Sequence, residues 1–349
     1  MALQTDTPPL LYAEDPEWAD VVPVPQYENV NPLAPIFYTA EYKDATDYFR
    51  AVVKAGEMSP RVLALTEKII KMNPAHYTAW QYRYKTLLAT GASFEDELRL
   101  MDVFCIKFLK TYQVWHHRRL LVTHLVPAPP SSPLHLVQLQ EELDFIARCL
   151  NVDTKNYHTW SYRQWLLAYF NADALWRGET KWVERMLAED VRNNSAWHHR
   201  FFVVFGSGVR ADEEDREGVV RREVAYTKQK LSLAPNNASA WNYLRGVLDH
   251  NRVPYSSLTS FVQPYTVPRA EDAEAEDVLD LEDPLPSKGA ELPCVGAIEF
   301  LADVYEQEGS GEGVRKATEL WKSLANEYDT IRKKYWEYRI REALAGQTS

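Results

Sequence analysis

Tryptophan recurs at positions 80, 115, 160, 197, 241 and 336, and arginine follows three residues later in five of the six places, as Arg83, Arg118, Arg163, Arg200 and Arg339. The first five tryptophans stand 35, 45, 37 and 44 residues apart. Self-similarity on this scale marks a repeat array, in which each unit is one supersecondary piece stacked on the next. In the best-preserved unit, Tyr157, Trp160, Arg163 and Leu167 share the i, i+3, i+6, i+10 phase of one helix face, which predicts an inward stripe. A second stripe precedes each tryptophan helix, as Val62, Leu65, Ile69 and Met72 or as Leu143, Ile146 and Leu150. Asn73, Asp153, Asp190 and Asp329 stand seven residues before tryptophan and suit the turn between the two helices. A single hairpin cannot bury both faces. The expected fold is therefore all-α, an α-α superhelix of stacked antiparallel hairpins forming a crescent.

Composition narrows the function. Only 13 glycines beside 11 tryptophans and 20 tyrosines argue against a turn-rich all-β protein. A net charge of −11 speaks against nucleic acid as a partner, so any anion site must be local. Cys105, Cys149 and Cys294 are odd in number and form no C-x-x-C pair, which fits reduced thiols in the cytoplasm and leaves no zinc site in this chain alone. No stretch approaches the ~18 apolar residues of a membrane span, and stable membrane insertion is not expected. Phosphate-binding glycine loops and nucleophile elbows are absent, so no complete active site is visible.

Prolines 8, 9, 16, 23, 25, 32 and 35 make residues 1–36 an extended arm, with Trp18, Val21, Val22 and Val24 apolar enough to lie along a surface. Residues 37–349 form the repeat domain. Between about 250 and 292 the order breaks into a proline-, serine- and tyrosine-rich stretch followed by an acidic run from Glu271 to Asp283, which reads as an exposed insertion.

The repeated tryptophans and arginines are expected to be the frame, each arginine pairing with a carboxylate such as Asp153 or Asp190. Five residues before tryptophan stand Ala75, Lys110, Lys155, Arg192, Asn236 and Ile331, so three consecutive units carry a cation at one phase. Lys155 is expected in the first turn of its helix, where a cation is unfavourable unless it serves an anionic ligand such as a phosphate. The competing explanation is three solvated bases in turns. His116-His117 and His198-His199 cannot chelate one ion, because neighbours on a helix point about 100° apart.

Asn156-Tyr157-His158-Thr159-Trp160-Ser161-Tyr162-Arg163-Gln164-Trp165, Asp190-Val191-Arg192-Asn193-Asn194-Ser195-Ala196-Trp197 and Asn236-Asn237-Ala238-Ser239-Ala240-Trp241 resemble the repeats of protein prenyltransferase α subunits. Tyr112-Gln113-Val114-Trp115-His116-His117-Arg118-Arg119 and Trp18-Ala19-Asp20-Val21-Val22-Pro23-Val24-Pro25-Gln26 are similar to the α subunit shared by farnesyltransferase and type I geranylgeranyltransferase. The likeness is good over about 17–250 and loose beyond. It implies a β subunit partner, an isoprenoid diphosphate and Cys-a-a-X proteins as substrates, and zinc held by the β subunit, with magnesium left open. It also implies a catalytic, diphosphate-contacting role for Lys155, with Tyr157, Arg192, Asn193 and Tyr112 as further substrate-binding candidates. The Rab geranylgeranyltransferase α subunit shares such repeats, and a non-enzymatic helical adaptor is the third reading.

Overall fold

The computed structural model describes residues 10–27, 30–206, 215–269 and 282–347. It divides into two compact units, residues 1–170 and 171–349. The first contains α1 (Ala40–Ala55), α2 (Pro60–Met72), α3 (Tyr77–Thr90), α4 (Phe94–Lys107), α5 (Tyr112–Leu125), α6 (Pro133–Val152) and α7 (Tyr157–Phe170). The second contains α8 (Asp173–Trp176), α9 (Glu179–Glu189), α10 (Asn194–Phe205), α11 (Arg216–Leu233), α12 (Ala238–Asn251), α13 (Thr259–Val262), α14 (Val295–Gln307), α15 (Gly311–Ser323) and α16 (Lys333–Ala345). No strand occurs among the described residues, and the expected antiparallel hairpins are present: α2 packs on α3, α4 on α5, α6 on α7, α9 on α10 and α11 on α12.

Local chemistry starts and stops these helices. Ser93 accepts the Asp96 N–H at 3.0 Å, and Ser132 caps α6 with Pro133 at its first position. Gly56 and Gly91 end α1 and α3 at φ of 70° and 65°, left-handed values that a β-carbon would strain. Ser59 precedes Pro60 as expected, but its hydroxyl donates to Glu57 rather than capping α2.

The tryptophans are buried, and five of them close their own hairpin turn. Each indole N–H donates to the carbonyl six residues upstream: Trp80 to Pro74, Trp115 to Leu109, Trp160 to Thr154, Trp197 to Val191 and Trp241 to Pro235, all at 2.7–2.9 Å. The ring thus fills the gap between helices while its one polar atom satisfies a turn carbonyl. Trp336 departs from this rule and donates to the Asp329 carboxylate.

The arginines correct the sequence reading. Arg83, Arg118 and Arg200 pair not with turn aspartates such as Asp153 or Asp190 but with buried glutamates on the first helix of the following hairpin, and Arg339 pairs with Asp303 and Glu306 of α14 at 2.9 and 2.6 Å. Arg83 grips Glu97 through two bonds of 2.7 and 2.6 Å, Arg118 grips Glu142 with both at 2.6 Å, and Arg200 grips Glu223 at 2.6 and 3.0 Å. Arg163 donates to the Leu143 carbonyl at 2.9 Å. Each glutamate also binds the residue two places after its own unit's tryptophan: His117 meets Glu97, Tyr162 donates to Glu142, His199 meets Glu179 and Tyr243 donates to Glu223. Glu97, Glu142, Glu179 and Glu223 all stand 18 residues before a tryptophan. Val62 and Leu244, fully buried, occupy the glutamate place of the first unit and the arginine place of the fifth.

The arm is seated on the first helices. Trp18 is 3% exposed, stacked under the Arg61 guanidinium, which also binds Asp20 and Glu57; Arg50 donates to the Val24 carbonyl. The supposed exposed insertion is exposed only in part. Tyr255, Leu258, Phe261, Val262 and Tyr265 are buried, because their apolar side chains pack against α14. Further along it, Asp283 pairs with Lys228 of α11 at 2.5 Å and the Leu285 carbonyl accepts from Ser232 at 2.6 Å. The acidic run from Glu271 to Asp280 lies outside the described residues.

Two outcomes follow from the buried carboxylates. Glu142→Ala leaves Arg118 and Tyr162 without their shared acceptor, and the expected loss is about 3–5 kcal/mol, against about 1 kcal/mol for Tyr162→Phe. Urea unfolding midpoints check this; a Glu142→Ala midpoint no lower than that of exposed Glu141→Ala would refute it. The second outcome concerns acid. Burial holds His117 below its ordinary pKa of 6.5; burial raises Glu97, but bonds from His117 and Arg83 outweigh it and bring the carboxyl from 4.5 to about 2. Both groups bind protons less readily when folded, so stability should be full above pH 6.5, decline below it, and decline again from 4.5 toward 2. His117→Gln should flatten the first decline in a pH series of unfolding midpoints.

Candidate functional site

The turn between α6 and α7 is fastened to the ends of its own two helices. Asp153 ends α6 and accepts the Lys155 N–H at 3.2 Å, Trp160 takes the Thr154 carbonyl, and buried Asn156 caps α7 by accepting from the Thr159 N–H at 3.0 Å and hydroxyl at 3.1 Å. The backbone on both sides of Lys155 is therefore fixed. Its side chain lies on the exposed surface. Lys155 sits in the turn two residues ahead of α7, not in the first turn of the helix, because Asn156 takes the cap position.

Tyr157 opens α7 and is 67% exposed, which corrects its place on the inward stripe; Trp160, Arg163 and Leu167 do face in. Tyr112 opens α5 in the same way at 66% exposure. Its ring meets His158 edge-on at 4.2 Å between centroids, and His158 meets Tyr157 at 5.6 Å. Burial lowers the His158 pKa, so this ring is a neutral wedge between two tyrosines at neutral pH. Lys110, from the turn before α5, brings its ammonium 3.4 Å from Asp153. Lys110, Tyr112, Asp153, Lys155, Tyr157 and His158 thus form one surface cluster from two consecutive hairpins. Burial raises the Asp153 carboxyl, but the Lys155 N–H and the Lys110 ammonium together bring it below the usual range.

In the second unit the turn before α10 repeats the construction. The Arg192 N–H donates to Asp190 at 2.9 Å and its side chain is exposed. Asn193 is 1% exposed, with its side-chain oxygen accepting from the Ser195 and Ala196 N–H groups, so it serves as a helix cap. His158 and the double use of Asp153 escaped the sequence reading. A histidine two residues before tryptophan, beside an exposed tyrosine, was the available signal.

The cluster holds two exposed lysines, two exposed tyrosines and one carboxylate, a set suited to an anion of phosphate type that carries an apolar body. A separate cleft of about 430 Å³, lined by Leu98, Asp102, Leu139, Phe145 and Arg148 among others, shares none of these residues. In the histidine pairs, His117 and His199 are buried while His116 and His198 are exposed, so the two rings of each pair occupy different environments. Among the described residues no group of three or more His, Cys, Asp or Glu is placed to hold a metal ion, and no helix is long and apolar enough to cross a membrane.

Comparison with known proteins converges on one family. The protein prenyltransferase alpha subunit repeat matches residues 59–90, 94–125, 139–170, 176–206 and 220–251, the five hairpins whose indoles close their turns. The protein farnesyltransferase/geranylgeranyltransferase type-1 subunit alpha of Dictyostelium discoideum is 31% identical over 334 residues, covering 94% of this chain and 92% of the relative. A geranylgeranyl transferase type-2 subunit alpha, from Rattus norvegicus, is 29% identical over 220 residues but covers only 59% of this chain and 37% of its own length. A solved structure of Candida albicans protein geranylgeranyltransferase-I complexed with GGPP superposes with a TM-score of 0.75 at 28% identity, covering 93% of this chain and 97% of that one. With five repeats matched and a type-1 α subunit 31% identical across 94% of this chain, the chain belongs to the protein prenyltransferase α subunits.

Proposed function

We propose that this chain is the α subunit of a heterodimeric protein farnesyltransferase/geranylgeranyltransferase type I, which moves an isoprenyl group from its diphosphate to the cysteine of a C-terminal Cys-a-a-X motif. The observation that carries this reading is Lys155, held on a rigid turn with its side chain outward and a second ammonium, Lys110, bound to the same carboxylate. Full-length similarity to type-1 subunits, against partial similarity to a type-2 subunit, supports this choice over the Rab enzyme.

In the reaction the cysteine sulfur forms a bond to C1 of the isoprenoid as the C1–O bond breaks, and that bond's electron pair leaves with the diphosphate. Negative charge grows on the leaving group during this step. An ammonium already in place is worth more to the transition state than to the bound substrate, so Lys155 accelerates the reaction rather than only tightening binding. Tyr157 and Tyr112 border the same surface and offer hydroxyls and rings to the diphosphate and to the arriving peptide. Arg192 is a further candidate for the anion. In this reading zinc is held by the β subunit, where it would activate the thiol when bound.

The purified chain alone should transfer no prenyl group and should gain activity on addition of a β subunit through an interface burying more than ~2,000 Å². Transfer by the single chain would refute the assembly. Lys155→Ala should slow single turnover at saturating isoprenoid diphosphate by roughly 10²-fold while the heterodimer stays assembled. Lys155→Arg should regain only part, since a planar guanidinium cannot take the place of a compact ammonium. A wild-type rate in Lys155→Ala would remove Lys155 from the mechanism.

A further inference from the structure

A carboxylate beside an anion site needs a reason, since its charge opposes the ligand. We propose that Asp153 is the positioning residue of the Lys155 site, fixing the Lys155 backbone with one oxygen and holding the Lys110 ammonium with the other, so that two cations from successive hairpins are delivered as a set. The inference rests on the reading of Lys155 given above. Oδ1 accepts the Lys155 N–H at 3.2 Å and Oδ2 stands 3.4 Å from Lys110 Nζ.

The turn itself does not require the charge. In the first hairpin Asn73 accepts the Ala75 N–H at the same 3.2 Å, so an amide oxygen is enough to close this geometry where no cation follows. Where a cation follows, the anchor is an aspartate: Asp153 before Lys155 and Asp190 before Arg192. Lys110 has Phe108 at the corresponding place and reaches Asp153 of the next turn instead. Asp329, at the same phase before Ile331, is paired with Arg332, so its charge too has a basic partner. Lys110 is 80% exposed and Asp153 30%, and an ion pair so open to solvent adds little to stability. Its value lies in placing a second positive charge beside the first, ready to exchange the carboxylate for a phosphate oxygen. The depressed pKa of Asp153 agrees with a group that stays ionised through the neutral range.

The test uses the assembled α/β enzyme with an isoprenoid diphosphate and reads single-turnover rate and half-saturating concentration separately. Asp153→Ala should lower the saturated rate about tenfold, a fraction of the roughly 10²-fold attached to the ammonium itself, and should raise the half-saturating concentration several-fold. Asp153→Asn keeps an oxygen for the Lys155 N–H, so it should recover most of the rate, yet retain the raised half-saturating concentration because Lys110 is no longer held by charge. In a Lys155→Ala background, Asp153→Ala should cost no further rate. A full additional tenfold loss there, or equal behaviour of the Asn and Ala variants, would overturn the positioning role. If Asp153→Ala fails to assemble, the Asn variant decides alone: a wild-type half-saturating concentration rejects the proposal. Lys155→Ala without effect is a different failure, that of the underlying site.

Discussion

The buried glutamate shared by two hairpins is the interaction on which the rest depends. An arginine arrives from the preceding unit, a tyrosine or histidine from the same unit, and the carboxylate between them is nearly or fully removed from water, as at Glu97, Glu142 and Glu223. Such a charge is costly to bury, and its attraction to the arginine little more than offsets that cost. What the arrangement supplies is selection. A helix rotated by one residue, or slid by one turn, leaves a carboxylate and a guanidinium unpaired in the interior, whereas the surrounding Leu, Ile and Val contacts tolerate smaller slips.

That selection reaches the surface through the turns. With the hairpins in register, the indole of each tryptophan meets the carbonyl six residues before it, and the turn is pulled flat against the ring. Asn156 and Asn193 then spend their side chains on helix caps, and Asp153 and Asp190 spend theirs on the N–H two residues on. Those inward commitments leave the cation at the turn and the tyrosine that starts the next helix facing out, at Lys110 with Tyr112 and at Lys155 with Tyr157. Rigid placement of the charged groups is thus a by-product of how the core is specified.

The hairpins, their tryptophans and the phase of the cations were legible because each is a local pattern within one unit. The glutamate partners were not, because the interaction joins residues 14 to 24 positions apart in neighbouring units, and a glutamate in a helix reads as solvated until its face is known. Tyr157 was assigned inward from spacing alone. A residue at the first position of a helix lies where the stripe has already run out over the turn, so phase does not decide its burial. Lys155 fell outside the helix for a related reason: an asparagine before a tyrosine is a strong cap, and the cap sets the boundary. In the insertion, prolines and serines outweighed Tyr255, Phe261 and Tyr265, whose burial depends on a distant helix, α14.

Val62 and Leu244 mark the first and last places where the repeated pairing is interrupted in the five matched hairpins. Each interior hairpin carries one acidic and one basic residue at these places, as Glu97 with Arg118, Glu142 with Arg163 and Glu179 with Arg200, while the first has Val62 at the acidic place and the fifth has Leu244 at the basic place, with Arg245 one residue on paired to Asp303 of α14 at 2.7 Å. Each interior hairpin is thus neutral in this currency of pairing: it brings one charge of each sign, so duplicating or removing it whole keeps the two signs equal in number. Loss of the first or fifth hairpin does not, because it strands a charge inside a core that has no solvent to receive it. By the same pairing rule, gain or loss of a whole unit disrupts least in the middle of the array.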